Sequence, residues 1–282
     1  MLSDKPLLLS LAGAYLSAYG SSGEQSSREW HLLEWSGCEV CKIADACDRR
    51  CDLLKAIPFD RIAGFVFESG NMHEPVKLPP VGLVRQIGGC VREQGGLVVA
   101  NEITTGMGRT GAWCGFEHYD LRPDIVALGK GLGSGYPVSA VALRPGVASS
   151  LESMGFRYVQ SHQNDPLGCA IALEVISVMR DEDLIERSRR VGTDFLDRLR
   201  RLASGPSTVR EVRGRGLMIA LELERSRISA ASAHAELLGR GFLVGLSEEP
   251  NLLRFYPPLT IGEDDIGRLL DTLPAVIERA PT

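Results

Sequence analysis

The chain has 282 residues, 44% of them hydrophobic and 24% charged, with a formal net charge of -5 at neutral pH. That length can hold one large domain and a smaller one, each around its own core. The negative balance offers no overall positive field to phosphate backbones or anionic lipid, so nucleic acid and membrane surfaces are not expected partners.

The N-terminal stretch MLSDKPLLLSLAGAYLSAYG sets Lys5 ahead of an apolar run that ends in small residues, the outline of a targeting segment. Asp4 spoils the basic region, and Leu7 to Leu11 followed by Ala12-Gly13 reads as a buried strand entering a turn. No other run approaches the roughly 18 uninterrupted apolar residues of a spanning helix. A soluble, cytoplasmic protein is expected.

Short apolar runs then alternate with helical patterns, as in a parallel sheet flanked by helices. The expected strands are Ile62 to Glu68, Leu97 to Glu102, Asp124 to Lys130 and Ser139 to Leu143. Between the first two, Leu83, Ile87, Cys90 and Val91 repeat at helical spacing, and Gly95-Gly96 ends that helix, making a βαβ unit. A helix begins at Asp165-Pro166, a cap followed by proline in the first turn, with Leu167, Ile171, Ile176 and Met179 facing inward. Another runs from Asp181 to Leu202. After Ser204-Gly205-Pro206 the texture becomes a smaller α+β pattern. Strands are expected at 209–212, 217–223, 243–246 and 252–256, with helices at 231–238 and 263–277. The expected division is therefore a large domain over 1–205 and a small one over 206–282.

In open α/β sheets ligands gather at the carboxyl ends of strands, where Asn101-Glu102 and Lys130 both fall. Lys130 closes the apolar run Ile125-Val126-Ala127-Leu128-Gly129 and has glycine on either side in GKGLGSGYP. A long amine there emerges with little bulk beside it, and desolvation of such an amine makes it a nucleophile toward aldehydes. An isolated loop lysine more commonly snorkels to water. A nucleotide-phosphate loop does not fit, because it needs serine or threonine after glycine-lysine and Gly131 follows.

The stretch NEITTGMGRTGAWCGFEHYDLRPDIVALGKGLGSGYPVSAV resembles the signature region of the class III aminotransferases, which are pyridoxal-phosphate (PLP) enzymes of fold type I. The resemblance extends to VREVRGRGLMIALEL and NLLRFYPPLTIGEDDI in the smaller domain, and back to IAGFVFES and LSLAGAYLSAYG. It implies an α/β fold type I transferase with a mainly parallel sheet and a smaller C-terminal α+β domain. It also implies that Lys130 holds the cofactor aldehyde covalently, with Ile103 against one face of its ring and Tyr15 stacked on the other. Glu68 matches a glutamate near the ring. Ser161 matches a residue that reaches the cofactor phosphate of a neighbouring subunit, which implies a homodimer or higher oligomer. Arg254 matches an arginine that grips a substrate carboxylate, a task suited to its planar fork of donors; without the resemblance it reads as a surface arginine beside Tyr256.

Departures from that pattern are equally specific. Asn101 stands where the family has an aspartate that pairs with the ring nitrogen, Thr104 where a glutamine often contacts the ring hydroxyl, and Leu16-Ser17 where histidine-glycine is usual. The family's N-terminal portion has no counterpart before Met1, so a partner chain supplying it is a further expectation. The implied reaction moves an amino group from a small amino donor to a keto acid through Lys130. A racemase, aminomutase or decarboxylase on the same scaffold is the alternative, as is an impaired remnant that supports a complete partner. A carboxylate at position 101 is expected to speed proton transfer at the substrate carbon.

Four of the seven cysteines lie in CEVCKIADACDRRC, as Cys38, Cys41, Cys47 and Cys51. This CxxC followed by CxxxC has the donor set of a four-thiolate zinc site, against the plainer reading of reduced structural thiols. His31, His73, His118, His162 and His234 show no metal-ligand spacing.

Overall fold

A computed structural model describes residues 7–11, 30–33, 35, 38, 41, 47–48, 50–70, 76–203, 208–247 and 250–279. The chain divides into two compact units: 1–71, 78–107 and 114–178 form one, and 72–77, 108–113 and 179–282 the other. Residue 205, the expected domain boundary, and Tyr15 lie outside the described residues.

The first unit is built on a six-stranded sheet, among the described residues, in the order β2-β1-β3-β4-β5-β6. Its strands are β1 (Leu7–Leu11), β2 (Trp30–Leu33), β3 (Ile62–Phe67), β4 (Leu97–Asn101), β5 (Ile125–Leu128) and β6 (Ala140–Leu143). β1 to β5 pair in parallel, whereas β6 runs antiparallel to β5 with Ile125 opposite Leu143. Alternation of apolar and polar residues is blind to strand direction, so this reversal left no mark in the sequence. β2, the short helix α1 (Asp52–Lys55) and the nine-residue helix α3 (Pro145–Ser153) were also not anticipated.

Between β3 and β4 lies α2 (Val81–Glu93), which buries Leu83, Val84, Ile87 and Val91 against the sheet residues Phe65, Phe67, Val98 and Ala100. Its C-terminus is closed by two backbone bonds, Gly95 N–H to the Arg92 carbonyl at 2.8 Å and Gly96 N–H to that of Val91 at 2.9 Å. That double closure takes a left-handed residue after the cap, and Gly95 supplies it with φ of 76°. At the opening of β5, buried Asp124 ties neighbouring strands together. Its carboxylate accepts from the Val98 N–H at 2.8 Å and from Arg144 Nη1 at 2.6 Å, and its own N–H donates to the Val98 carbonyl.

The polypeptide continues into α4 (Pro166–Asp181) and α5 (Leu184–Ala203), with Asp183 at φ 51° breaking the path between them. The expected single start at Asp181 therefore falls three residues early.

The second unit carries an antiparallel sheet in the order β7-β8-β10-β9, formed by β7 (Val209–Arg215), β8 (Met218–Leu223), β9 (Gly245–Ser247) and β10 (Leu252–Phe255). The helices α6 (Ala230–Gly239) and α7 (Glu263–Arg279) join α5 around a core that includes Phe195, Leu199, Ile219, Leu221, Phe255 and Leu273. α5 approaches the β7–β8 turn so closely that a Cβ added to Gly192 would lie 2.2 Å from the Gly216 carbonyl oxygen. Gly216 in turn abuts the 108–113 turn, where an added Cβ would meet the Thr110 carbonyl carbon at 2.4 Å.

Candidate functional site

The carboxyl ends of β3, β4 and β5 lie side by side, because Phe67 pairs with Ala100 and Asn101 with Ala127. Glu68, Asn101 and Lys130 each follow or close one of these strands. Asn101 Nδ2 donates to Glu68 Oε1 at 2.7 Å, and the Ile103 N–H donates to Asn101 Oδ1 at 3.2 Å. Ile103 also flanks the lysine turn, since a Cβ on Gly129 would sit 3.5 Å from Ile103 Cγ2.

β5 stops at Leu128, two residues before the expected end, and Lys130 opens a one-turn 3-10 helix, Lys130–Gly133. Its φ is 41°, in the left-handed region. For a residue with a Cβ this conformation costs about 1–2 kcal/mol, and such outliers gather at functional sites. The side chain is exposed. A glycine on each side lets the turn form without crowding the amine.

The loop after β4 is organised by a residue that the sequence reading passed over as a simple carboxylate. Glu102 is 1% exposed and accepts three hydrogen bonds: Oε2 takes Thr105 Oγ1 at 2.7 Å and the Gly115 N–H at 2.8 Å, while Oε1 takes the Phe116 N–H at 2.8 Å. Burial raises its pKa above the usual carboxylate range, and those three donors pull the other way. An acidic residue between an apolar strand and a glycine-rich loop, with threonine three positions on, was the available signal. Beside it, Thr104 Oγ1 is a buried atom with no hydrogen-bond partner among the described residues.

The remaining expected residues lie apart from this cluster. Ser161 sits on an exposed stretch, 152–164, in the same unit. Arg254 belongs to the second unit, half-buried on β10, with Nη2 donating to the Leu246 carbonyl at 2.8 Å. Burial pushes the neighbouring Tyr256 phenol up to about 12, although Arg254, Arg109 and Arg213 pull it down. Arg109 is spent on structure: its Nη1 donates to the carbonyls of Leu217 at 3.1 Å and Pro257 at 2.5 Å.

The zinc expectation is not supported. Among the described residues no group of three or more His, Cys, Asp or Glu is arranged to hold a metal ion. Cys38, Cys41, Cys47 and Cys51 are thiols rather than disulfides, and Cys47 packs into the apolar cluster with Leu9, Trp35 and Leu54. Its pKa is pushed up to about 11, first by burial, then by Cys51 and next by Cys38 and Cys41. No helix among the described residues is long and apolar enough to cross a membrane.

A parallel sheet whose strand ends present a strained lysine, a carboxylate–amide pair and a flanking aliphatic side chain has the ingredients for binding an aldehyde cofactor. The family model for class-III aminotransferases matches residues 27–277, and the chain belongs to that family. An ornithine aminotransferase of Bordetella pertussis is 37% identical over 214 residues, 76% of this chain and 51% of that protein. A leucine/methionine racemase of Thermococcus litoralis is 29% identical over 97% of this chain and 67% of its own length. A transaminase from the marine bacterium Virgibacillus superposes with a TM-score of 0.85 at 24% identity, covering 99% of this chain and 69% of that structure, which shows the fold type I architecture. The chain spans about half the length of most of the curated relatives it matches.

Proposed function

We propose that this chain transfers an amino group between a small amino compound and a keto acid with PLP held on Lys130. The observation that carries the reading is the exposed Lys130 amine in a left-handed turn, at the same sheet edge as the Glu68–Asn101 pair. The residues present fit the cofactor. Thr104 offers a buried hydroxyl without a partner, Glu68 and Asn101 offer polar groups for a ring nitrogen, and Ile103 offers an apolar surface.

When bound, the cofactor supplies an aldehyde that condenses with amines and a ring that draws electrons from the attached carbon. Lys130 would hold the cofactor, and its Nζ would be the group that moves a proton at the substrate carbon. Asn101 orients Glu68 while it is itself oriented by the Ile103 N–H. Arg254 is the residue we assign to a substrate carboxylate, a task that the names of the ornithine and acetylornithine aminotransferase relatives favour over a purely apolar amine. Racemisation is the second reading. It is favoured by the racemase relative, which matches 97% of this chain, together with an uncharged residue at position 101.

We also infer that the working protein is an oligomer of this chain. Val141, Phe156, Tyr158, Val159, Leu167 and Leu173 are all exposed in the unit that carries Ser161, and apolar side chains left open in number favour association. The test is reductive trapping with borohydride after PLP is added to the purified protein. Peptide mapping should find the cofactor on Lys130, and Lys130→Ala should lose both the adduct and amine turnover. An adduct on another lysine, or none in saturating PLP, rejects the assignment.

A further inference from the structure

Asn101 raises a chemical question that its position in the fold answers. It closes β4 beside Glu68, and the amide orientation admits one solution. A carboxylate oxygen only accepts and a backbone N–H only donates, so Nδ2 must face Glu68 and Oδ1 must face Ile103. The observed bonds, 2.7 Å and 3.2 Å, have that arrangement. Asn101 is thus committed at both ends of its side chain and brings no charge.

Glu68 is different. It is 8% exposed, and a carboxylate has about four acceptor sites, so it can hold the Asn101 amide and accept a further N–H as well. Other ionisable groups at this edge are turned elsewhere or lie at its rim. Glu102 faces Gly115 and Phe116, the Tyr119 hydroxyl donates to the Ser69 carbonyl at 3.0 Å, and Lys130 is exposed.

We propose that Glu68 is the carboxylate that faces a cationic ring nitrogen at this site, and that Asn101 is its positioning residue. The proposal rests on the PLP reading above. It also reverses the expectation for Asn101→Asp. An aspartate there would set its carboxylate about one hydrogen-bond length from that of Glu68, and two carboxylates so close cannot both stay ionised. The substitution should slow the reaction or make it acid-dependent rather than speed it.

The test uses three variants and the visible band of PLP bound to the full chain, titrated with pH, together with PLP affinity by fluorescence. A nearby negative charge favours the protonated chromophore, so its loss lowers the titration midpoint. Glu68→Gln should lower the midpoint by about one unit or more and weaken PLP binding about tenfold. Asn101→Asp should give binding that strengthens as the pH falls. The double variant Glu68→Gln with Asn101→Asp restores one charge and one amide in exchanged places, so it should return both readouts to within about threefold of the original, roughly the spread of a well-repaired pair. If Glu68→Gln does not fold, the double variant remains as the readout, and a folded double variant lacking the recovery overturns the proposal. So does a folded Glu68→Gln with an unchanged midpoint and affinity. Failure of the original protein to form the Lys130 adduct removes the PLP reading and this proposal with it, whereas an intact adduct with an insensitive Glu68→Gln removes this proposal alone.

Discussion

The carboxyl edge of β3, β4 and β5 buries carboxylates and gives them partners, while the flank formed by β6 and residues 154–173 leaves apolar groups in the open. Glu102 and Glu68 are 1% and 8% exposed and are held by short hydrogen bonds. On the flank, Val141 is 65% exposed, Leu173 68% and Val159 85%, and all four residues of β6 are exposed. Both regions belong to one unit, so the difference is one of design and not of domain. The edge carries much of its own order, because the Glu102 and Glu68 carboxylates find partners within this chain, while Thr104 Oγ1 stays without one among the described residues. The flank is an open strand edge beside apolar side chains, which natural monomers rarely leave bare.

Five substitutions separate the two behaviours. The largest effect belongs to Lys130→Ala, which should reduce amine turnover to background while leaving the thermal midpoint within a few degrees. A protein that still reacts places the chemistry elsewhere. Next is a matched pair. Leu83→Ala removes a fully buried side chain and should cost about 2–5 kcal/mol in urea unfolding, whereas Leu173→Ala on the flank should stay within about 0.5 kcal/mol. Equal costs would mean that the flank is already covered.

Glu102→Gln should cost about 2–3 kcal/mol at neutral pH, since either orientation sets the amide nitrogen against a backbone N–H, that of Phe116 or that of Gly115. The pH dependence has a definite sign. With its pKa raised by burial, the Glu102 carboxyl contributes most below the ordinary carboxylate range, and that contribution is lost as pH rises through the folded value. The gap between the original protein and Glu102→Gln should therefore widen in acid, because the original protein gains this contribution and the variant has no group there to titrate. A gap that narrows in acid contradicts the assigned direction. The smallest effect on stability is expected for Val141→Lys, within about 0.5 kcal/mol for an exposed edge position. Sedimentation should nevertheless show weaker self-association, and an unchanged assembly would show that β6 is not part of the contact.

Much of the edge was legible in the sequence for reasons that can be named. The alternation in β3 and β4, the glycine pair ending α2 and the glycines around Lys130 are local signals, and local chemistry fixes what they do. The Glu68–Asn101 bond joins residues 33 positions apart and depends on strand register, which no local pattern reports. The left-handed backbone of Lys130 was hidden for the opposite reason: lysine rarely adopts it, so composition argues against it. The helix α3 did carry a signal, proline at its first turn after Arg144, but Val147, Ala148 and Leu151 are only half-buried and it has no fully buried stripe. The cysteine spacing reports which sulfurs can meet and is silent on burial, which differs between buried Cys47 and exposed Cys41.

The crowded meeting of Gly192, Gly216 and the 108–113 turn has a consequence for motion. With backbone where side chains would otherwise cushion the contact, α5, the β7–β8 hairpin and that turn cannot slide past one another by small rotamer changes. Leu217 N–H and carbonyl bind the Arg109 carbonyl and guanidinium across the same junction. The three segments should fluctuate as a single body, and their amides should exchange with deuterated water together, late and on one timescale.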